Sequence, residues 1–189
     1  MKNLKFRKNR NKGMTYVELI VVLSIFSVLS AVSMFNYGKF QAKIDIKNLA
    51  SDIALKIVEA QKSSIGGLLP PNADPDWKPS YGVYFNRIAN NKSFIYFADA
   101  SGDRQFQVGE EIRTMAINKG NLISSIKTFP EDLSLGNFTI SFARPDSGAK
   151  MFGDGIELVN TSWVEITVES PSEPQAIIRV YPSGRLETQ

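Results

Sequence analysis

The feature that most constrains this chain is an apolar stretch close to its N-terminus. Residues 14–35, MTYVELIVVLSIFSVLSAVSMF, contain a single charged side chain, that of Glu18. As an α-helix with a rise of about 1.5 Å per residue, these residues would span roughly 33 Å, which is enough to cross the hydrocarbon layer of a membrane. The stretch therefore predicts a transmembrane helix.

Positive charge is concentrated immediately before this stretch. Residues 1–13 hold six basic side chains and no acidic one. By the positive-inside rule they place the N-terminus in the cytoplasm and everything beyond residue 35 outside. A cleaved secretory signal peptide is the alternative, and the small residues of SVLSAVS keep it open. Its apolar region should be shorter, however, and FNYGKFQAK follows where a cleavage site would be expected.

Composition limits what the rest of the chain can do. The 189 residues are enough for one globular domain with an appendage, and they include no histidine and no cysteine. Histidine-based catalytic arrangements, disulfides and thiolate metal sites are therefore excluded, and we do not expect an enzyme. Without residues 1–13, 16 basic side chains face 19 acidic ones, so the body has no general attraction for nucleic acid.

Glu18 needs a separate explanation, because an ionisable group in a membrane helix is costly and is expected to have a partner. The simplest interpretation is an acid that interacts favourably with the positive end of the helix dipole. A functional partner for the carboxylate is the other interpretation.

The sequence around Glu18 resembles a known family. The basic leader ending in Gly13, followed by MTYVELIVVLSIFSVL with Glu18 at its fifth position, resembles the class III signal of type IV prepilins and type II secretion pseudopilins. The resemblance implies that prepilin peptidase cuts between Gly13 and Met14 on the cytoplasmic side and methylates the new amine of Met14. It also implies that Glu18 pairs with the N-terminal amine of a neighbouring subunit during assembly.

Two positions depart from the commonest form of this signal. Met14 stands where phenylalanine is more frequent, and Phe35 stands where many pilins have a helix-bending proline. Any kink should therefore arise at the NYG that follows, where Gly38 is the weakest helix former.

Beyond residue 35 the helical pattern becomes one-sided. Apolar residues recur at three- and four-residue spacing, which predicts an amphipathic helix over residues 36–66 that lies on a globular domain. These residues are Ile46, Leu49, Ala50, Ile53, Ile57 and Ala60. The glycines at 66 and 67 should end the helix near Ser64 or Ile65, and residues 67–80 form a proline-rich connection.

Residues 81–189 contain short runs rich in β-forming residues, separated by turn residues. The alternation of Phe138, Ile140 and Phe142 predicts an antiparallel sheet with one covered face. The expected fold is thus α+β, with a long N-terminal helix packed on an antiparallel β domain. Four stretches, YGVYF, FADASGDRQFQVGEE, FTISFARPD and IIRVYPSGRLE, are similar to the β domain of the H-type minor pseudopilins of type II secretion and related minor pilins.

One internal stretch has the spacing of a calcium loop. In DASGDRQFQVGE, oxygen-bearing side chains occupy positions 1, 3, 5, 7 and 12 of an EF-hand-like pattern. They are Asp99, Ser101, Asp103, Gln105 and Glu110. Arg104 stands where an EF-hand has glycine, so a polar hairpin loop without metal is the alternative. No other cofactor is expected.

Two arginines near the C-terminus, Arg179 and Arg185, are candidates for contact with an anion or DNA. These two arginines indicate DNA binding only weakly, because the sequence shows no aromatic residues on which bases would stack and because residues 14–189 carry a net negative charge.

Three functions follow from these features. The first is a structural subunit, expected to be a minor one, of a type IV pilus or type II secretion pseudopilus in the inner membrane. Its partners would be prepilin peptidase, sister subunits, the inner-membrane assembly machinery and membrane lipid. The second is a minor pilin that binds DNA or a surface at a fibre tip. The third is a membrane-anchored enzyme with an uncut N-terminus.

Overall fold

A computed structural model describes residues 13–69, 77–145, 148–172 and 174–189 of the chain. Most of the predicted leader, residues 1–12, and the centre of the predicted connection, residues 70–76, lie outside the described residues. By internal contacts the chain divides into two units, residues 1–40 and 41–189, which are described separately below.

One helix, α1, runs from Tyr16 to Gly66. It is the one helix of the described residues that is long and apolar enough to cross a membrane, judged by length and composition. Its C-terminus has the hydrogen bonds of a Schellman motif: the Gly67 amide donates to the Ser64 carbonyl, and the Leu68 amide donates to the Ser63 carbonyl. Gly67 has a φ of +63°, which favours glycine, so the sequence ends the helix within two residues of the predicted position.

Ten strands follow in the described residues, and all their pairings are antiparallel. They are β1 (Ser80–Asn86), β2 (Asn90–Asp99), β3 (Glu111–Ala116), β4 (Leu122–Phe129), β5 (Asn137–Phe142), β6 (Ala149–Gly153), β7 (Ile156–Glu157), β8 (Trp163–Glu169), β9 (Gln175–Val180) and β10 (Leu186–Thr188). The strand order is β3-β2-β1-β5-β6-β7 in a six-stranded sheet and β10-β9-β8-β4 in a four-stranded sheet. The α+β class is therefore confirmed, with two sheets in the β domain.

One hydrophobic core joins both sheets to the C-terminal part of α1. Five of the six apolar helix positions predicted to face the domain are buried, and Leu49 packs against the same core. The buried five are Ile46, Ala50, Ile53, Ile57 and Ala60.

An ion pair also connects the helix to the β domain, since the Lys119 Nζ lies 2.7 Å from the Asp45 Oδ1. The side-chain hydrogen bond from Lys119 lowers the pKa of the Asp45 carboxyl.

The expectation that β5 has one covered face is wrong. Phe138, Ile140 and Phe142 lie in the core as predicted, but Thr139 and Ser141 on the opposite face are also buried. The cover includes residues 99–110, because the Ser141 hydroxyl donates to the Arg104 carbonyl at 2.8 Å. In contrast, β8 alternates between buried and half-buried residues, as a strand with one covered face should.

Truncation of a buried residue on α1 tests whether this half of the helix belongs to the domain core. We expect Ile57→Ala to lower the free energy of unfolding of the β domain by about 2–5 kcal/mol, because Ile57 is fully buried. Leu55→Ala is the matched control on the same turn, and we expect a change below about 0.5 kcal/mol because Leu55 is 63% exposed. Chemical unfolding of the full chain in detergent micelles measures both. Equal effects would contradict the packing of α1 on the sheets.

Candidate functional site

The predicted processing position lies just before α1. Gly13, Met14 and Thr15 are exposed and non-helical, and the helix begins at Tyr16. A Cβ built on Gly13 would meet no atom within 4 Å, and the φ of Gly13 lies outside the left-handed region. Nothing in the described part of the chain therefore requires glycine at position 13.

Thr15 is the N-cap of α1, a role that the sequence analysis missed. Its carbonyl accepts the first helical hydrogen bond from the Leu19 amide at 3.0 Å, and its Oγ1 accepts a second from the Glu18 amide at 3.2 Å. A threonine with glutamate three residues later is a known capping pattern, T-x-x-E, so TYVE could have revealed this cap.

Glu18 lies in the first turn of α1 and is exposed. Within the described residues its carboxylate has no hydrogen-bond or ion-pair partner, and its position near the positive end of the helix dipole favours a negative charge. The geometry thus leaves the carboxylate open to a partner from outside the described chain.

The helix that carries Glu18 has an unusual surface. From Tyr16 to Met34 its large apolar side chains are between 45% and 82% exposed. Exposed apolar area on this scale is unfavourable in water. Gly38, the predicted weak point, is helical, and a Cβ at that position would meet no atom within 4 Å.

In the second unit, the predicted calcium-loop residues lie in one loop between β2 and β3, the Asp99 loop, residues 99–110. Asp99 is buried, and its carboxylate accepts four hydrogen bonds of 2.6–3.0 Å. The donors are the Ser80 and Ser101 hydroxyls and the Gly102 and Arg104 amides. Phe106 fixes the loop to the outer face of the six-stranded sheet, with its ring 4.7 Å from Tyr84 and 5.6 Å from Phe97.

The other two carboxylates of the pattern also accept hydrogen bonds from the loop. Glu110 accepts from the amides of Ala100, Ser101 and Gln107. Asp103 accepts from the Gln105 amide and the Gln107 side chain. Partial burial raises the pKa of Asp103, but these hydrogen bonds outweigh it, so the pKa lies below its usual value.

This geometry favours the polar-loop alternative over a calcium site. The carboxylates point at backbone amides, and no group of three or more acidic side chains placed to hold a metal occurs among residues 13–69, 77–145, 148–172 and 174–189. Calcium binding itself stays a prediction of the spacing.

Calcium titration separates the two alternatives. If the Asp99 loop is fixed by its own hydrogen bonds, we expect the Tm of the β domain to stay unchanged at millimolar calcium. Glu110→Gln in the same titration controls for nonspecific ion effects. A rise of Tm with calcium that is lost in Glu110→Gln would establish a calcium site.

Arg179 lies in β9 and Arg185 lies in the turn before β10, and both are paired. The Arg179 Nε lies 3.1 Å from a Glu165 oxygen, and an Arg185 nitrogen lies 3.1 Å from a Glu187 oxygen. Aromatic rings accompany them: the guanidinium of Arg179 lies 6.0 Å from the Trp163 ring centre, and that of Arg185 lies 4.0 Å from the Tyr181 ring centre. The expectation that they lack aromatic neighbours is wrong. Their positive charge, however, is compensated by carboxylates.

Comparisons with protein-family models, with curated proteins and with solved structures found no match for this chain.

Proposed function

We propose that the chain is a pilin-like structural subunit, more specifically a minor subunit of a type IV pilus or of a type II secretion pseudopilus. The observation that carries this proposal is the order of features at the start of α1. An exposed, non-helical Gly13–Met14 bond precedes a helix with an apolar surface whose first turn holds the unpaired Glu18 carboxylate.

In this proposal the basic leader stays in the cytoplasm while residues 14–35 cross the inner membrane and the β domain faces outward. Prepilin peptidase would remove residues 1–13 and methylate the amine of Met14. The exposed backbone at Gly13 and Met14 supports access by a protease, because exposed, non-helical segments are the preferred sites of proteolysis.

Assembly would then place the apolar helix among the helices of sister subunits. The Glu18 carboxylate and the Met14 amine of a neighbouring subunit would both be desolvated there, and either charge left alone would be costly. Pairing of these two groups would thus favour one axial register between subunits. The exposed apolar side chains of the helix support this role, because lipid would cover them before assembly and sister helices would cover them afterwards.

The β domain supports the more specific part of the proposal, that the chain is a minor subunit. The four stretches that resemble the H-type minor pseudopilins lie in β1, in the end of β2 with the Asp99 loop, in β5 and in β9–β10. We take this resemblance as support for a minor subunit.

Co-expression with a prepilin peptidase tests the proposal. We expect the full chain to lose residues 1–13 only when an active peptidase is present, seen as a mass decrease of the membrane-bound protein. A catalytically inactive peptidase is the control. A chain of unchanged mass would contradict the proposal, because a pilin has to be processed. It would instead agree with the alternative of a membrane-anchored enzyme that keeps its N-terminus.

A further inference from the structure

The six-stranded sheet of the β domain has two outer strands that run in opposite directions. They are β3 and β7, and each has one neighbouring strand among the described residues. Because every pairing between them is antiparallel, β3 and β7 are also antiparallel to each other. A second copy of the chain in the same orientation can therefore place its β7 beside β3 and continue the antiparallel order.

The backbone of β3 offers hydrogen-bonding groups to a further strand. The Ile117 amide donates to the Lys92 carbonyl at 2.8 Å, and along an antiparallel pair the residues that bond to the neighbouring strand alternate with residues that do not. The amides and carbonyls of Thr114 and Ala116 therefore point away from β2. Such a row of groups is complementary to another extended backbone, so a strand is the partner that fits β3.

The backbone of β7 has the same property. The Leu158 amide donates to the Met151 carbonyl at 2.9 Å, so the amide and carbonyl of the preceding residue, Glu157, point away from β6. Glu157 of one copy can thus exchange two hydrogen bonds with Thr114 of another copy.

The apolar side chains at the two edges support this register. Large apolar residues there are between 48% and 78% exposed, and they are Ile112, Ile156 and Val159. When Glu157 of one copy lies opposite Thr114 of the other, Ile156 lies opposite Met115, which packs against the core of its own domain, and Val159 lies near Ile112. The pairing would therefore cover apolar surface that each copy alone leaves in water.

We propose that the β domain pairs edge to edge with a second copy of the chain, with β7 of one copy beside β3 of the next. The two copies use different surfaces, so the contact leaves one β3 and one β7 free and can be repeated. A contact of a few residues on each strand is weak and depends on a high local concentration. The inference rests on the part of the proposed function that anchors the chain in a membrane, because that anchor supplies the concentration.

Disulfide trapping tests the pairing, because the chain contains no cysteine. Thr114→Cys and Glu157→Cys are combined in one full-length chain, and membranes from the native host are mildly oxidised. Opposite residues that exchange hydrogen bonds have Cα atoms about 5.5 Å apart, which a disulfide can span. Within one chain β3 and β7 are separated by five strand spacings, about 24 Å, so every disulfide joins two copies.

Both substitutions leave the fold intact. Thr114 is exposed, and Glu157 is lost only from a surface ion pair with Lys150, which contributes about 0–1 kcal/mol. The matched control combines Val108→Cys with Glu157→Cys, because Val108 is more exposed than any residue of β3 but lies outside that strand.

We expect the Thr114→Cys, Glu157→Cys chain to shift from monomer into dimers, trimers and longer ladders on a non-reducing gel, while the control stays monomeric. Each single variant should stay monomeric, and co-expression of the two single variants should give dimers without trimers. Dimers from Thr114→Cys alone would place β3 beside β3 and overturn the inference. Equal cross-linking of the double variant and the control would also overturn it.

Failure of the proposed function gives a different result. The intact mass of the same chains after reduction shows whether residues 1–13 have been removed. Uncut chains that form the ladder would contradict the pilin pathway and support the edge pairing. Cut chains that form no ladder would contradict only the edge pairing.

Discussion

Replacement of Gly13 by alanine is expected to prevent removal of the leader. A Cβ at position 13 meets no atom within 4 Å, so the substitution leaves the fold unchanged and any effect arises in the protease site. Misplacement of reacting atoms by about 1 Å can cost about 100-fold in rate. We therefore expect cleavage of Gly13→Ala by prepilin peptidase to be slower by about that factor, measured as the cleaved fraction over time in membranes.

Gly38→Ala is the matched control for this experiment. A Cβ at Gly38 also meets no atom within 4 Å, so Gly38→Ala adds a methyl group to the first unit without a clash, as Gly13→Ala does. We expect Gly38→Ala to be cleaved at the wild-type rate. Equal rates for wild type, Gly13→Ala and Gly38→Ala would contradict recognition of Gly13 by the peptidase.

Glu18→Gln is expected to separate processing from assembly. The substitution keeps the size of the side chain and removes its charge, which would leave the partner amine unpaired among apolar helices. Breaking a buried ion pair in this way costs about 3–5 kcal/mol, which corresponds to a loss of more than about 100-fold in assembled subunit. Cleavage at Gly13 should continue, so the variant should accumulate in the membrane as a processed chain.

Glu59→Gln provides the comparison within the same helix. Glu59 is exposed and pairs with Lys56 on the surface of the second unit, and such surface pairs contribute about 0–1 kcal/mol. We expect wild-type fibre yield from Glu59→Gln. If Glu18→Gln assembles as well as Glu59→Gln, the Glu18 carboxylate has no role in assembly.

Helix α1 was predictable because its signals are local. The three- and four-residue spacing of Ile46, Ala50 and Ile53 identifies the buried face, and the two glycines after Ile65 identify the end. The antiparallel strands were predictable for the same reason, because the alternation of apolar and polar residues and the turn residues between strands lie within a few consecutive positions.

The arrangement of the strands into two sheets was not predictable from these patterns. Strand β1 pairs with β5, and β4 pairs with β8, across long stretches of chain. Alternation shows which face of a strand is buried but does not show which strand lies beside it. The burial of Ser141 had the same origin, because its cover comes from the Asp99 loop, far away in the sequence.

The candidate site was predictable in its residue types and less so in its hydrogen bonds. Gly13, Met14 and Glu18 follow from the pattern of the leader and helix. Thr15 was missed although its spacing from Glu18 contains the signal. In the Asp99 loop, spacing alone does not distinguish a carboxylate that binds calcium from one that accepts backbone amides, because both uses need an oxygen at the same position.

The central claim, that this chain is processed as a pilin-like subunit, is tested most directly by the intact mass of the protein purified from its native membrane, with fragmentation of the N-terminus. We expect a chain that begins at Met14, lacks residues 1–13 and carries one additional methyl group on the Met14 amine. A chain that retains residues 1–13 would contradict it, because the Met14 nitrogen would then be a peptide amide and not the free amine proposed to pair with Glu18.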